Sequence, residues 1–262
     1  MSGAPPVAIV TGGGTGLGAA VAKALAAREW RVAIGYRRSE EAAEEVAAAC
    51  REGGGGALTH RADVTVDADC RALAAAALDQ WGRLDALVNS AGTTKFVPAE
   101  DLEGLSAQDF EDINATNVVG AFQMTRATAP AMRAAGGGSV VNVSSFAGIA
   151  GYGSSIPYVV SKGALNTLTI ALARTLAPEI RVNAVCPSFV ETRWLTDNME
   201  PDAYAAFKAR VEETAPLRRF GQPEDVAEAV LWLIEGGRLI TGEVLVLDSG
   251  MRLTVGTPPT GS

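Results

Sequence analysis

The chain has 262 residues, 48% of them hydrophobic and 20% charged, with a formal net charge of −8. This composition excludes a disordered chain and suits one folded unit with a large core, while the negative charge works against nucleic acid and anionic membranes, which both need basic patches. Cys50, Cys70 and Cys186 are odd in number and form no Cys-x-x-Cys, and His60 is the single histidine, so a disulfide framework, a metal site and a Ser-His-Asp triad are all disfavoured.

The first element reads from Val7 to Val10, a short apolar and β-branched run. Thr11-Gly-Gly-Gly-Thr-Gly-Leu-Gly18 follows, and then Ala19 to Ala27, a strong helix-forming stretch. This is strand, glycine turn, helix. Gly12 and Gly16 would let backbone approach a pyrophosphate, Gly18 would let helix and strand pack, and the helix N-terminus would offer N–H groups to the phosphates. In a chain with 29 glycines, the placement between strand and helix carries this argument rather than the glycines themselves.

Further apolar runs near 31–36, 57–61, 86–89, 138–143, 181–186 and 243–247 alternate with helical stretches. The alternation predicts an α/β fold, a Rossmann-type doubly wound parallel sheet of about seven strands with helices on both faces. Ligands of such sheets lie beyond the C-terminal strand ends, where Thr11, Arg37, Asp63, Asn89, Ser145 and Pro187 all fall. After the second run an NAD protein is expected to carry an acidic residue for the ribose, but this chain has Arg37-Arg38, whose guanidinium groups suit a 2′-phosphate and hence NADP(H). No linker interrupts the chain, which is read as one domain over 1–262. Residues 188–222 are expected to be a substrate lid, and 256–262, rich in Pro and Gly, a loose tail.

Tyr158 and Lys162 stand four apart, a spacing that puts both on one helix face, and Ser145 precedes Tyr158 by 13 residues at the end of the 138–143 run. A free tyrosine titrates near 10, and a neighbouring ammonium is expected to lower that value. With a serine hydroxyl to hold the reacting oxygen, the three read as acid/base chemistry on a carbonyl or alcohol. Tyr204 and Lys208 repeat the spacing without a preceding strand end and read as an ordinary exposed helix pair.

These residues together resemble the short-chain dehydrogenase/reductase family, and the likeness runs from Val7 to Gly250. In order it rests on the Thr11 to Gly18 loop, Asp63-Val64, Asn89-Ser-Ala-Gly92, Asn117 in Asn-Val-Val-Gly, Ser145, Tyr158-x-x-x-Lys162, Cys186-Pro187 and Asp248-Ser-Gly250. The resemblance implies that Tyr158 is the general acid/base and Ser145 steadies the substrate oxygen. Lys162 would lower the tyrosine pKa and bind the nicotinamide ribose, while Asn117 anchors a proton-relaying water. It further implies cofactor contacts at Gly14, Thr15, Leu17, Asp63, Val64, Asn89, Ala91, Gly92, Pro187, Ser188, Val190 and Thr192. Ser90 and Ser188 stand where the family usually has Asn and Gly.

Within the family the chain looks much like 3-oxoacyl-carrier-protein reductases, with sugars, steroids and other small ketones as alternative substrates and a non-catalytic NADP(H) sensor as the rival reading. Tyr152 and Trp194 are the expected substrate contacts. Met1 to Pro6 lacks a basic region and no run reaches 18 apolar residues, so a cytoplasmic protein is expected. Ala164 to Ala177 carries a single charge and hardly any polar stripe, the apolar 229–234 segment is similar, and the 243–247 strand falls at the sheet edge, so all three are expected to meet a partner copy, Leu172 among the contacts. The resemblance points to a homotetramer.

Overall fold

Val7–Thr11 (β1) is buried at every position, as a short apolar strand flanked on both edges and covered on both faces must be. The computed structural model describes residues 4–254. After β1 come α1 (Gly16–Ala26), β2 (Arg31–Tyr36), α2 (Glu40–Glu52), β3 (Ala57–Arg61), α3 (Asp67–Trp81), β4 (Ala86–Asn89), α4 (Ala107–Asn114) and α5 (Gly120–Ala134). The second half runs β5 (Gly138–Val143), α6 (Ala147–Ala150), α7 (Ile156–Leu176), β6 (Ile180–Pro187), α8 (Arg193–Thr196), α9 (Pro201–Thr214), α10 (Pro223–Leu231) and β7 (Val244–Leu247).

All seven strands pair in parallel in the order β3-β2-β1-β4-β5-β6-β7. The strand order reverses at β1, which pairs with both β2 and β4, and a crevice opens there beyond the strand ends. Side chains alternate across the sheet, so Val10 enters one core with Leu25 of α1, Val46 of α2 and Val230 of α10, while Ile9 enters the other with Leu73 of α3 and Met124 of α5. Burying each such side chain contributes roughly 1.5–3 kcal/mol, which fixes the register of every strand end and with it the crevice.

Three expectations need correction or refinement. Segment 229–234 does not await a partner: Val230, Leu231 and Leu233 are buried in this chain's own core, and only Trp232 stands well exposed. Leu172 also packs against its own core. Residues 188–222 form α8 and α9, closed on themselves by a bridge between Val190 and Gly221 and by a small cluster of Phe189, Phe207 and Phe220, against which Met251 packs from outside the segment. The expected tail over 256–262 lies outside the described residues. Among the described residues no helix is long and apolar enough to cross a membrane.

Candidate active site

The crevice begins at the β1–α1 turn. Gly12 and Gly16 have φ of +62° and +53°, backbone conformations that favour glycine. Thr15 caps α1 without a side-chain hydrogen bond and the first turn has no acidic residue, so the helix N-terminal N–H groups and dipole face the crevice unneutralised. Gly18 plays a different part and does not line the crevice: a Cβ there would lie 2.4 Å from the Gly12 carbonyl oxygen, so it sets the closeness of helix to turn. Thr11 is nearly fully buried, and its Oγ1 accepts from the N–H groups of Ser90 and Ala91, both at 3.1 Å. That tie locks the ends of β1 and β4 together.

A cleft of about 710 Å³ runs from this turn along the C-terminal strand ends. One end is walled by Arg37, Arg38, Asp63 and Val64; Gly12, Gly14, Thr15, Gly16 and Leu17 form its middle with Ala91 and Gly92; Ser145, Tyr152, Tyr158, Lys162, Pro187, Ser188, Val190, Thr192 and Trp194 form the other end. At the first end Arg37 meets Asp63 at 3.5 Å. Partial burial pushes the Asp63 carboxyl up, but hydrogen bonds from the Thr65 hydroxyl and N–H, with the Arg37 guanidinium, leave it below the usual carboxylate value. Arg38 is exposed and has no ionic partner among the described residues.

Asn89 and Asn117 are not on the cleft wall. Asn89 is buried, and its Nδ2 donates to Asn142 Oδ1 at 2.8 Å, joining β4 to β5. Asn117 sits in a π-helical turn, Ala115–Val119, that the sequence did not disclose. Its Oδ1 accepts from Thr93 N–H at 2.8 Å, and its Nδ2 donates to Thr93 O at 3.0 Å and Ser161 Oγ at 2.9 Å. A Cβ on Gly92 would lie 3.5 Å from Asn117 Oδ1 and 3.8 Å from Lys162 Nζ, so that glycine keeps the space between them open.

Lys162 is buried, its Nζ donates to Val143 O at 2.9 Å, and the ammonium lies over the Tyr158 ring, 5.6 Å from the centroid. Burial pushes the lysine down to about 8. It also pushes the Tyr158 phenol up to about 12, against the pull of the Ser145 hydroxyl. The expected depression of the tyrosine is thus not met by these side chains alone, because desolvation outweighs a cation that faces the ring. Tyr204 and Lys208 lie away from the cleft: Lys208 pairs with Glu191 at 2.6 Å, and Tyr204 packs edge-on against Phe220. That pair is more embedded than the expected exposed one.

Sequence reasoning missed Phe96, whose ring faces Trp194 at 6.4 Å, and Ser161, which links Asn117 to the Tyr158 carbonyl at 2.7 Å. Phe96 lies in an irregular connection and carries no periodic signal; Ser161 was legible only as the residue before Lys162. A dinucleotide fits what is present. The open helix N-terminus suits its pyrophosphate, and the Ser188 hydroxyl is buried at the cleft without a partner among the described residues.

A parallel sheet with a glycine turn at its switch point defines an α/β protein of the dinucleotide-binding kind. The family model described as Enoyl-(Acyl carrier protein) reductase matches residues 12–252. A Streptomyces violaceoruber protein assigned as ketoacyl reductase 2 of the granaticin polyketide synthase is 46% identical over 95% of this chain and 96% of its own. The 3-oxoacyl-[acyl-carrier-protein] reductase of a Synechocystis strain is 33% identical over 94% and 96%. Among solved structures, a 7α-hydroxysteroid dehydrogenase complexed with NADH and 7-oxo glycochenodeoxycholic acid is 29% identical with a TM-score of 0.85, covering 94% of this chain and 93% of that one. The chain belongs to the short-chain dehydrogenase/reductase family of oxidoreductases.

Proposed function

We propose that the protein interconverts a ketone and a secondary alcohol, with NADP(H) as hydride partner and Tyr158 as general acid/base. The observation that carries this reading is the meeting of Ser145, Tyr158 and Lys162 at one end of a cleft whose other end presents Arg37 and Arg38. The names of the ketoacyl reductase and hydroxysteroid dehydrogenase relatives support the reaction class. When bound, the dinucleotide supplies or accepts the hydride at the substrate carbon. Ser145 donates a hydrogen bond to the carbonyl oxygen, and Tyr158, held protonated by its surroundings, delivers the proton as negative charge develops there. Lys162, with its value near 8, is mostly ammonium at neutral pH and stabilises the phenolate left behind. Asn117, pinned by Thr93 and Ser161, holds the water path by which that phenolate regains a proton.

The family model's description names an enoyl substrate, but the Ser145 hydroxyl set beside the Tyr158 phenol suits a carbonyl oxygen better than an alkene carbon. A non-catalytic sensor would need neither Ser145 nor Tyr158. Free buried cysteines favour a reducing compartment, hence the cytoplasm, and a homotetramer accounts for apolar side chains left exposed on α7. The test is oxidation of NADPH and of NADH across a panel of ketones, with binding of both cofactors measured separately. Tighter binding of NADH would overturn the NADP(H) part, and absence of ketone-dependent turnover with either cofactor would overturn the reaction.

A further inference from the structure

Around Tyr158 the cleft changes character. Phe96 from the β4–α4 connection, Tyr152 from the α6–α7 connection and Trp194 from α8 converge there. The Trp194 ring lies 5.9 Å from Tyr158, tilted at 47°, and 6.4 Å from Phe96, tilted at 60°. Phe146 braces Tyr152 edge-on at 6.0 Å. These rings are held in place yet uncovered: Phe96 is 42% exposed, Tyr152 49% and Trp194 37%. Large aromatic faces on a cleft wall cost free energy in water unless something covers them.

Charge is sparse at the same end. Besides Lys162, the ionic side chain on this part of the wall is Arg193, which is 81% exposed and held by Asp197 at 3.3 Å. Lys95, beside Phe96, is tied to Asp109 at 2.9 Å. Among the described residues an anionic substrate would therefore meet no free, shielded cation beyond Lys162, whereas a flat apolar ring would meet three aromatic faces.

We infer that Phe96, Tyr152 and Trp194 form an aromatic clamp that selects neutral ketones whose carbonyl is fused to a planar ring system over straight-chain or carboxylate-bearing ketones. The inference rests on the ketone reading above and deepens it to a substrate class. Trp194 is the central specificity residue, because among the aromatic rings of the described residues it alone packs against both the Tyr158 ring and the Phe96 ring.

Two ketones of ten carbons each, 1-tetralone and 2-decanone, separate ring from chain at equal carbon count. The Tyr158→Phe protein, loaded with reduced cofactor, allows their binding to be measured by calorimetry without turnover. 1-Tetralone is expected to bind at least about tenfold more tightly. In the otherwise unmodified enzyme, Trp194→Ala should reduce the ring-to-chain ratio of kcat/KM to about one, mainly through KM, and Trp194→Phe should restore most of it. Phe96→Leu, at an exposed position, should lower the ratio as well and guards against misfolding of the alanine variant. Equal binding of the two ketones, or an undiminished ratio in Trp194→Ala, would overturn the clamp. If no ketone is turned over, the reaction proposed above fails, and the calorimetric comparison still decides this inference.

Discussion

At the scale of single residues, context separates two identical spacings. Tyr158→Phe removes the proton and keeps the ring, so turnover is expected to fall by at least about a thousandfold while cofactor affinity stays within a few-fold. Tyr204→Phe, at a tyrosine whose ring packs on Phe220 away from the cleft and whose buried hydroxyl has no hydrogen-bond partner among the described residues, should leave turnover nearly unchanged. Equal losses in steady-state assays would reverse the choice between the pairs. At the far end of the cleft Arg37 already serves Asp63, which leaves Arg38 as the freer cation. Replacing either by Ala should weaken NADPH binding about ten- to a hundredfold and leave NADH binding within about threefold, as loss of a charge-assisted phosphate contact requires. Lys162 gives a pH test. Its folded value near 8 lies below the unfolded value of 10.5, so between those values the unfolded chain binds more protons and the folded protein gains stability as pH rises. Tyr158 acts oppositely only above pH 10, because its folded value is the higher one. Lys162→Met abolishes the lysine's contribution. The stability of the cofactor-free parent relative to this variant should therefore improve by about 2 kcal/mol between pH 7.5 and 9.5, read from paired thermal unfolding curves.

At the scale of elements, the strands were legible almost to the residue because the inner ones are short apolar runs buried on both faces and bounded by turn residues, while the half-buried edge strands β3 and β7 keep the alternation with helices. Ile180–Pro187 and Val244–Leu247 differ from expectation only at their ends. The cleft was legible for the same reason, since strand ends in such a sheet face one edge. What escaped was geometry that hydrogen bonding decides: the π-helical turn that aims Asn117 at Thr93 and Ser161, and the buried pairing of Asn89 with Asn142. Burial was also overread in 229–234, where apolarity on every side reflects a strand-facing side and a neighbouring helix rather than a second copy. The β1–α1 unit offers a direct test of how its glycines divide labour. Gly18→Ala would force a Cβ into the Gly12 carbonyl and should cost about 3 kcal/mol. Gly16→Ala meets nothing nearer than Thr192 Cγ2 at 4.0 Å and should cost only about 1 kcal/mol for its positive φ, while weakening cofactor binding by crowding the pyrophosphate's approach. Urea unfolding and cofactor titration read the two effects separately.

At the scale of the whole molecule, the question is what covers the apolar side chains that the core leaves out. On α7, Val160 and Ile170 are 47% and 48% exposed, and on α5 Phe122 is 39% exposed. Leu172, by contrast, is half-buried against this chain's own core, so a charge there would disturb folding as well as assembly. A two-fold contact through α5 and α7 would bury the first three side chains twice over, each contributing roughly 1.5–3 kcal/mol. The same helix α7 carries Tyr158 and Lys162, so a partner pressed against it would steady those two side chains as well. Sedimentation at assay concentration is therefore expected to give a tetramer, or at least a dimer. Ile170→Arg buries a charge in that contact and should raise the dissociation constant by at least about a hundredfold, with activity per chain falling as the smaller species accumulates. Circular dichroism of the variant should match the parent, since Ile170 faces away from the core. A parent protein that is fully active as a monomer would remove the argument for assembly and leave those exposed side chains to another partner.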